Sequence, residues 1–189
     1  MYQALRTTID TVSPVTEEDW NVFTTILRPV SFAKGDTMLS EGHVCRGIYF
    51  VNQGAFRTYH LKGGNEIHTA FYFENDFVQD IASLTHGTPS QVNIVALEEA
   101  QTLFMPKDDM LALYERAPSF QRLGREVLAL MAISEKKYVS LFTDFQPKER
   151  YEYVVAHYSE LIQRVPLQYL ASFLGVARET LSRIRKRVR

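Results

Sequence analysis

Four polar residues near the C-terminus have types and spacings suited to reading the edges of nucleic-acid bases. Arg178 and Ser182 are four positions apart, as are Glu179 and Arg183, so a helix would place all four on one side. Arginine can donate two hydrogen bonds to O6 and N7 of guanine, and glutamate can accept one from N4 of cytosine. The pattern therefore predicts a recognition helix that enters a major groove.

The residues around this group are suited to phosphate contacts, where charge matters more than direction. The expected DNA contacts are Gln168, Arg178, Glu179, Thr180, Ser182, Arg183, Arg185, Lys186 and Arg187. Residues 178–189 hold six basic residues and one acidic residue, a net charge of +5. Because the whole chain carries −1, the other 177 residues carry −6. An acidic body with a basic tip indicates that only the tip meets a polyanion.

The elements that must position these residues are two short helices joined by a tight turn within residues 167–187. Gly175 can adopt the positive φ that the turn requires. The apolar residues expected to hold the two helices together are Leu170, Ala171, Leu174, Val176, Leu181 and Ile184. This pattern predicts a helix-turn-helix. A plain αα-hairpin is the alternative, but it does not account for the polar outward face of the second helix.

Between residues 30 and 105, runs of β-branched and aromatic residues alternate with glycines, which indicates short strands. Gly63 and Gly64 lie between two such runs and predict a hairpin turn. The strand after this turn is expected to present on one face Ile67, Thr69, Phe71 and Phe73. Short strands at intervals of about ten residues predict a small β-sandwich or jelly roll.

Helical patterns flank the roll. Residues 17–27 predict a helix with Thr16 as its N-cap, residues 107–115 a second helix, and residues 118–142 a long one. The dimer interface expected on the long helix consists of Phe120, Leu123, Val127, Leu130 and Leu141. Packing of this face on its own domain is the alternative. We predict an α+β chain with a β-roll at 1–117, a dimerisation helix at 118–144 and a helix-turn-helix domain at 145–189.

A β-roll, a long helix and a C-terminal helix-turn-helix, in this order, resemble the Crp/Fnr superfamily of bacterial transcription regulators over nearly the whole chain. The glycine-punctuated stretches at residues 34–42 and 48–54 match its roll, and Arg178-Glu179-Thr180 with Arg183 is similar to its recognition helix. The resemblance implies that Arg178 and Arg183 read guanines. It also implies that Glu179 reads the base pairs between them in a GTG-like half-site.

The cyclic-nucleotide members of this family hold their ligand with a Gly-Glu pair and a later Arg-Ser or Arg-Thr pair. At the matching stretch this chain has Gln79 and Asp80, then Pro89 and Ser90, and residues 58–115 contain no arginine. Losing a charge-assisted contact to a buried phosphate costs about 2–5 kcal/mol. We therefore expect that cyclic AMP is not a strong ligand.

We therefore expect the roll to bind either another small-molecule effector of unknown identity or no effector. A candidate pocket would be lined by Tyr72, Asp80, Ser83, Thr88 and Ser90. The alternative is that these loop and strand residues bind nothing.

Metal-binding and enzymatic alternatives have little support. A cupin-type metalloenzyme would need a His-x-His pair, but His43, His60, His68 and His86 are scattered. Cys45 is the single cysteine, so it can form no internal disulfide and cannot alone hold an iron–sulfur cluster. We expect a buried thiol rather than a nucleophile.

The sequence thus predicts a cytoplasmic regulator with no catalytic residues, metal ligands or cofactor. It contains no apolar run long enough to span a membrane and no secretory signal pattern. The expected partners are double-stranded DNA, a second copy of the chain and RNA polymerase. The remaining alternative is a ligand-binding module whose helical tail contacts another protein and which shows no salt-dependent DNA binding.

Overall fold

The computed structural model describes the backbone of residues 1–188 and the side chains of residues 1–133, 141–142 and 144–187. Two helices, α1 (Gln3–Val12) and α2 (Glu17–Thr24), precede the strands. Thr16 caps α2 as predicted, because its hydroxyl accepts a hydrogen bond from the Asp19 amide at 3.1 Å. Helix α1 has no counterpart among the predicted elements, since its buried face consists only of Leu5 and Ile9.

The strands form a roll in the region predicted for it. In chain order they are β1 (Arg28–Phe32), β2 (Thr37–Leu39), β3 (Gly47–Gln53), β4 (Phe56–Lys62), β5 (Asn65–Tyr72), β6 (Phe77–Val78), β7 (Asn93–Ala96) and β8 (Ala100–Pro106). Within the described residues they make two four-stranded sheets, ordered β1-β8-β3-β6 and β2-β7-β4-β5, in which the paired strands are antiparallel. Phe50 and Leu103 of the first sheet and Phe56 and Ile94 of the second belong to one buried core.

The β4–β5 hairpin confirms the predicted turn and corrects the predicted strand face. Gly63 and Gly64 both have positive φ, 58° and 79°, as a two-residue hairpin turn requires. The expectation that Ile67, Thr69, Phe71 and Phe73 share one face is wrong. A register shift occurs where Thr58 pairs with Ala70 but Tyr59 pairs with His68, so Thr69 is an extra residue. His68 is therefore buried together with Phe71, whereas Thr69 is exposed.

Helices dominate after the roll, in the order expected. A short helix inside the roll, α3 (Ile81–His86), is followed by α4 (Lys107–Arg116) and the long α5 (Pro118–Asp144). Gly124 lets α4 and α5 approach closely, because a Cβ there would lie 2.3 Å from the Tyr114 hydroxyl. The C-terminal helices are α6 (Pro147–His157), α7 (Ser159–Arg164), α8 (Leu167–Phe173) and α9 (Arg178–Val188). None of the helices within the described residues is both long and apolar enough to cross a membrane.

The structure places the apolar face expected to form a dimer interface inside its own chain. Phe120, Leu123 and Val127 are buried in the core of the roll, and Leu141 is buried among the C-terminal helices. Helices α1 and α4 pack against α5. Leu130 is half-buried. These four side chains are at most 9% exposed, so within a single chain they pack as interior residues.

Candidate nucleic-acid interface

Helices α8 and α9 are joined by the tight turn that the sequence predicts. Gly175 has a φ of 70°, and the Val176 amide donates to the Ala171 carbonyl at 3.0 Å, which closes the turn. The predicted inner residues are buried as expected at Leu170, Ala171, Leu174 and Leu181. Val176 and Ile184 pack partly buried against them. The spacing of small and apolar residues therefore fixes how α9 is held.

The outward side of α9 carries the predicted polar residues. Exposed positions are Arg178, Glu179, Arg183, Lys186 and Arg187, and half-buried positions are Thr180, Ser182 and Arg185. Gln168 is exposed in the first turn of α8. Arg183 donates to the Thr180 hydroxyl at 3.4 Å. In the part of the chain that the structure describes, no salt bridge involves a basic residue of α9.

The other side of the α8–α9 pair is docked on the roll. Ser172 of α8 donates from its hydroxyl to the Glu66 carbonyl at 2.8 Å and accepts from the His68 amide at 3.1 Å. Phe173 contacts Phe71 of β5 edge-on, with ring centroids 5.4 Å apart. One hydroxyl of α8 thus satisfies two backbone groups of β5, an edge strand of its sheet.

A group of polar and aromatic side chains, here called the docking cluster, lies at this junction and consists of Arg57, Glu66, His68, Tyr169 and Ser172. Arg57 forms an ion pair with Glu66 and lies over the Tyr169 ring, 4.3 Å from its centroid. Tyr169 also stacks on His68 at 4.6 Å. An arginine that is nearly buried, as this one is, requires such partners because an isolated buried charge is costly.

His68 is neutral in the docking cluster. Its Nε2 lies 2.7 Å from an Arg57 nitrogen, which can only donate, so Nε2 accepts and Nδ1 carries the proton. Nδ1 has no hydrogen-bond partner among the described residues. Burial, reinforced by the positive charge of Arg57, lowers the pKa of His68 to about 4, against a smaller opposing effect of Glu66.

A second polar contact joins the roll to α7. Arg164 donates to both carboxylate oxygens of Glu74, at 2.6 and 2.9 Å, and also pairs with Glu98. The hydrogen bonds from Arg164 hold the pKa of Glu74 below its usual range, although burial acts in the opposite direction. The positive charge of Arg164 is thus balanced by two carboxylates of the roll, Glu74 and Glu98, which links α7 to the roll.

Arg150 of α6 holds the C-terminal helices to the end of α5. Its guanidinium donates to the carbonyls of Phe145 at 3.0 Å and Leu174 at 3.1 Å, and it lies over the Phe142 ring. Neither Arg150 nor the docking cluster was among the sequence candidates. The one available signal was an isolated arginine, Arg57, within an apolar strand.

Four of the five candidate effector residues line one cavity of about 560 Å³, namely Tyr72, Asp80, Ser83 and Thr88. Ser90 is buried behind them and donates to Asp80 at 2.8 Å. The other Asp80 oxygen caps α3 by accepting from the Ala82 and Ser83 amides. The Ser83 hydroxyl donates to the Thr88 carbonyl at 2.6 Å. The structure therefore brings these residues together. However, Asp80, Ser83 and Ser90 already form hydrogen bonds within this group.

The metal and thiol alternatives gain no support from the geometry. Within the described residues, no group of three or more histidine, cysteine, aspartate or glutamate side chains could hold a metal ion. Cys45 is buried, and its thiol donates to the Gly47 carbonyl at 3.2 Å, whereas His43 is exposed.

Comparison with known proteins places the fold. Residues 29–117 match the cyclic nucleotide-binding domain family. Among solved structures, the catabolite activator protein of Thermus thermophilus is 20% identical, with a TM-score of 0.57 over 96% of this chain and 86% of that one. A Crp/Fnr-family transcriptional regulator from Eubacterium rectale is 17% identical, with a TM-score of 0.68 over 91% and 82%.

A third similar structure is the c-di-GMP responsive global regulator CLP of Xanthomonas campestris. It is 14% identical, with a TM-score of 0.71 over 92% of this chain and 91% of that one. A search of curated proteins found no match. At these sequence identities the structural similarity shows the fold alone. The resemblance inferred from the sequence is therefore confirmed for the fold. Residues 29–117 thus match a cyclic nucleotide-binding domain, and the chain shares its fold with solved structures that include Crp/Fnr-family regulators.

Proposed function

We propose that this chain is a sequence-specific DNA-binding transcription regulator that acts as a homodimer. The observation that carries the proposal is the set of exposed, unpaired cations on α9, which stands out against a body of net charge −6. Elsewhere the arginines at positions 6, 28, 57 and 164 are ion-paired, whereas Arg46 and Arg116 form no ion pair with the described residues. What distinguishes α9 is therefore the clustering of several such cations on one helix. Unpaired positive charge on the helix after a tight turn suits a polyanion with a groove.

Each polar residue of this surface has a role that follows from its place. Arg178, Glu179, Thr180, Ser182 and Arg183 lie in the first half of α9, where a recognition helix meets base edges. Residues toward the end of α9 and at the start of α8 are better placed for phosphates. The proposed phosphate contacts are Gln168, Arg185, Lys186 and Arg187. The half-site is expected to be GTG-like.

We assign the dimer contact to the exposed side of α5 rather than to its buried face. That side presents Leu128, 45% exposed, and Ile133, 61% exposed, with the small residues Ala129 and Ala132 between them. Small residues allow two helices to approach, and the large ones supply apolar area. A two-fold dimer would set two recognition helices about 34 Å apart, one turn of DNA, and would read an inverted repeat.

Cyclic AMP is not the effector in this proposal. The loop that matches the cyclic-nucleotide cassette supplies the Asp80 carboxylate and no arginine, so its charge opposes a cyclic phosphate. Hydrogen bonds from Ser90 and from backbone amides already occupy Asp80. The negative charge of Asp80 in its wall makes the cavity beside Tyr72 and Thr88 better suited to a neutral or cationic ligand.

The deciding experiment is selection of bound sequences from a random duplex library at physiological salt. An enriched inverted repeat supports a dimeric regulator, and its half-site tests the roles of Arg178, Glu179 and Arg183. Absence of enrichment both alone and with cell extract, which would supply an effector, contradicts the proposal. It would favour the module that contacts another protein.

Light scattering tests the dimer contact separately. Leu128→Glu combined with Ile133→Glu should give folded monomers, because both side chains are exposed in a single chain. Leu61→Glu, at an exposed apolar residue on the β4–β5 hairpin, is the matched control and should stay dimeric. A double variant that remains dimeric would place the contact elsewhere.

A further inference from the structure

An apolar cavity of about 320 Å³ lies where α3, α4 and α5 meet the roll, apart from the cavity beside Asp80. Its wall is apolar except for Thr85, Lys107 and Tyr114. The cavity opens to solvent at a rim of exposed apolar side chains, Ile81, Leu111 and Leu128. Its volume is at the lower end of the range of small-molecule sites.

Lys107 places a positive charge in this otherwise apolar wall. Its ammonium group donates to the carbonyls of Leu84 and Thr85, and it takes part in no ion pair within the described residues. An ammonium group has three donors, so one remains after these two bonds. The two carbonyls orient the group without neutralising its charge. The cavity therefore complements an anionic group attached to an apolar body.

Tyr114 adds a second donor to the wall. Its hydroxyl lies against Gly124 of α5 and forms no hydrogen bond to the residues that the structure describes. Burial raises the pKa of Tyr114, so the phenol keeps its proton and can donate it in a hydrogen bond. The hydroxyl can therefore donate to an occupant that carries oxygen acceptors.

We propose that this cavity binds a small amphipathic carboxylate, with its aliphatic chain among the apolar side chains of α3, α4 and α5 and its acid group at Lys107. Binding itself does not depend on the proposed DNA-binding function. The regulatory consequence of binding, in contrast, rests on the proposed DNA-binding function. Helix α5 supplies Leu123 and Val127 to the cavity wall, and its Leu128 lies both at the cavity rim and in the proposed dimer contact. An occupied cavity would thereby influence the spacing of two recognition helices.

Isothermal titration of the full chain with octanoate tests the proposal, with octan-1-ol and octylammonium as neutral and cationic probes of equal chain length. Octanoate should bind once per chain and about tenfold more tightly than octan-1-ol, as expected for one charge-assisted contact. Octylammonium should bind more weakly than both. Lys107→Met should remove the preference for octanoate, with Lys62→Met on the exposed hairpin as its control.

A variant that fills the cavity keeps the test independent of the lysine. Leu111→Trp, at the partly exposed rim, should abolish octanoate binding, whereas Leu61→Trp on the hairpin should leave it unchanged. Equal binding by wild type and Leu111→Trp, or no preference over octan-1-ol, overturns the proposal. So does a change of oligomeric state in Leu111→Trp without binding of any probe, because a second copy would then cover the cavity. DNA selection without octanoate reports separately on the proposed function.

Discussion

Positive charge has different surroundings on the docked side of the C-terminal helices and on the outward side of α9. On the docked side, Arg57 of β4 pairs with Glu66 and Arg164 of α7 pairs with Glu74, and both guanidinium groups lie over aromatic rings. On the outward side, Arg178, Arg183 and Lys186 meet no acid within the described residues. The chain thus compensates charge where the roll meets the C-terminal helices and leaves it unmatched on the surface proposed to bind DNA. The comparison separates residues that hold the fold from residues proposed to bind.

The largest expected effect is on the docked side. Phe173→Ala removes a fully buried ring that contacts Phe71 and Phe142. The free energy of unfolding should fall by about 3–5 kcal/mol, because the change leaves a cavity. Urea denaturation measures this, and Phe142→Ala, at an exposed ring, should cost less. Equal losses would mean that α8 is not a buried junction.

A smaller loss of stability is expected from Arg57→Met. The change keeps an unbranched side chain but leaves Glu66 and His68 without their partner. Breaking a fully buried ion pair typically lowers the free energy of unfolding by about 3–5 kcal/mol. Because Glu66 is 35% exposed, we expect a smaller loss of about 2–3 kcal/mol. Urea denaturation with Arg28→Met as control, whose pair with Asp109 is exposed, checks the value. A similar loss in both variants would remove the distinction that the docking cluster rests on.

On the outward side, Arg183→Ala should change binding and leave stability unchanged. Specific DNA affinity should fall by about 1–3 kcal/mol while much of the non-specific affinity is kept. Lys186→Ala should instead weaken all sequences similarly and flatten the salt dependence. Fluorescence anisotropy on the selected site and on random duplex, at several salt concentrations, distinguishes the two. Equal loss on both duplexes for Arg183→Ala would count against base reading.

The smallest effect concerns pH. Because the folded pKa of His68, about 4, is below its unfolded value of 6.5, the unfolded chain binds the proton first as pH falls. This residue therefore costs no stability above pH 6.5 and becomes increasingly destabilising between pH 6.5 and 4. Between pH 7.5 and 5.5 the wild type should lose about 1 kcal/mol more than His68→Gln. The same loss in both would mean that His68 is not held neutral.

Part of the fold followed from local patterns. Thr16 and the pair Gly63 and Gly64 act through their own backbone and nearest neighbours, so their roles could be read directly. The face of β5 could not, because the bulge at Thr69 depends on pairing with β4. The packing of α5 likewise depends on distant contacts. Several stripes of this helix carry apolar residues, and only the position of α1 and α4 decides which stripe is covered.

The candidate site divides in the same way. The sequence by itself determined the polar face of α9 and the turn at Gly175, because helical periodicity and a required positive φ are local properties. Only the tertiary structure decided that Arg57 would meet Tyr169 and that Lys107 would border a cavity. Such contacts join residues far apart in the chain, and their energies depend on burial and partners that no local pattern encodes.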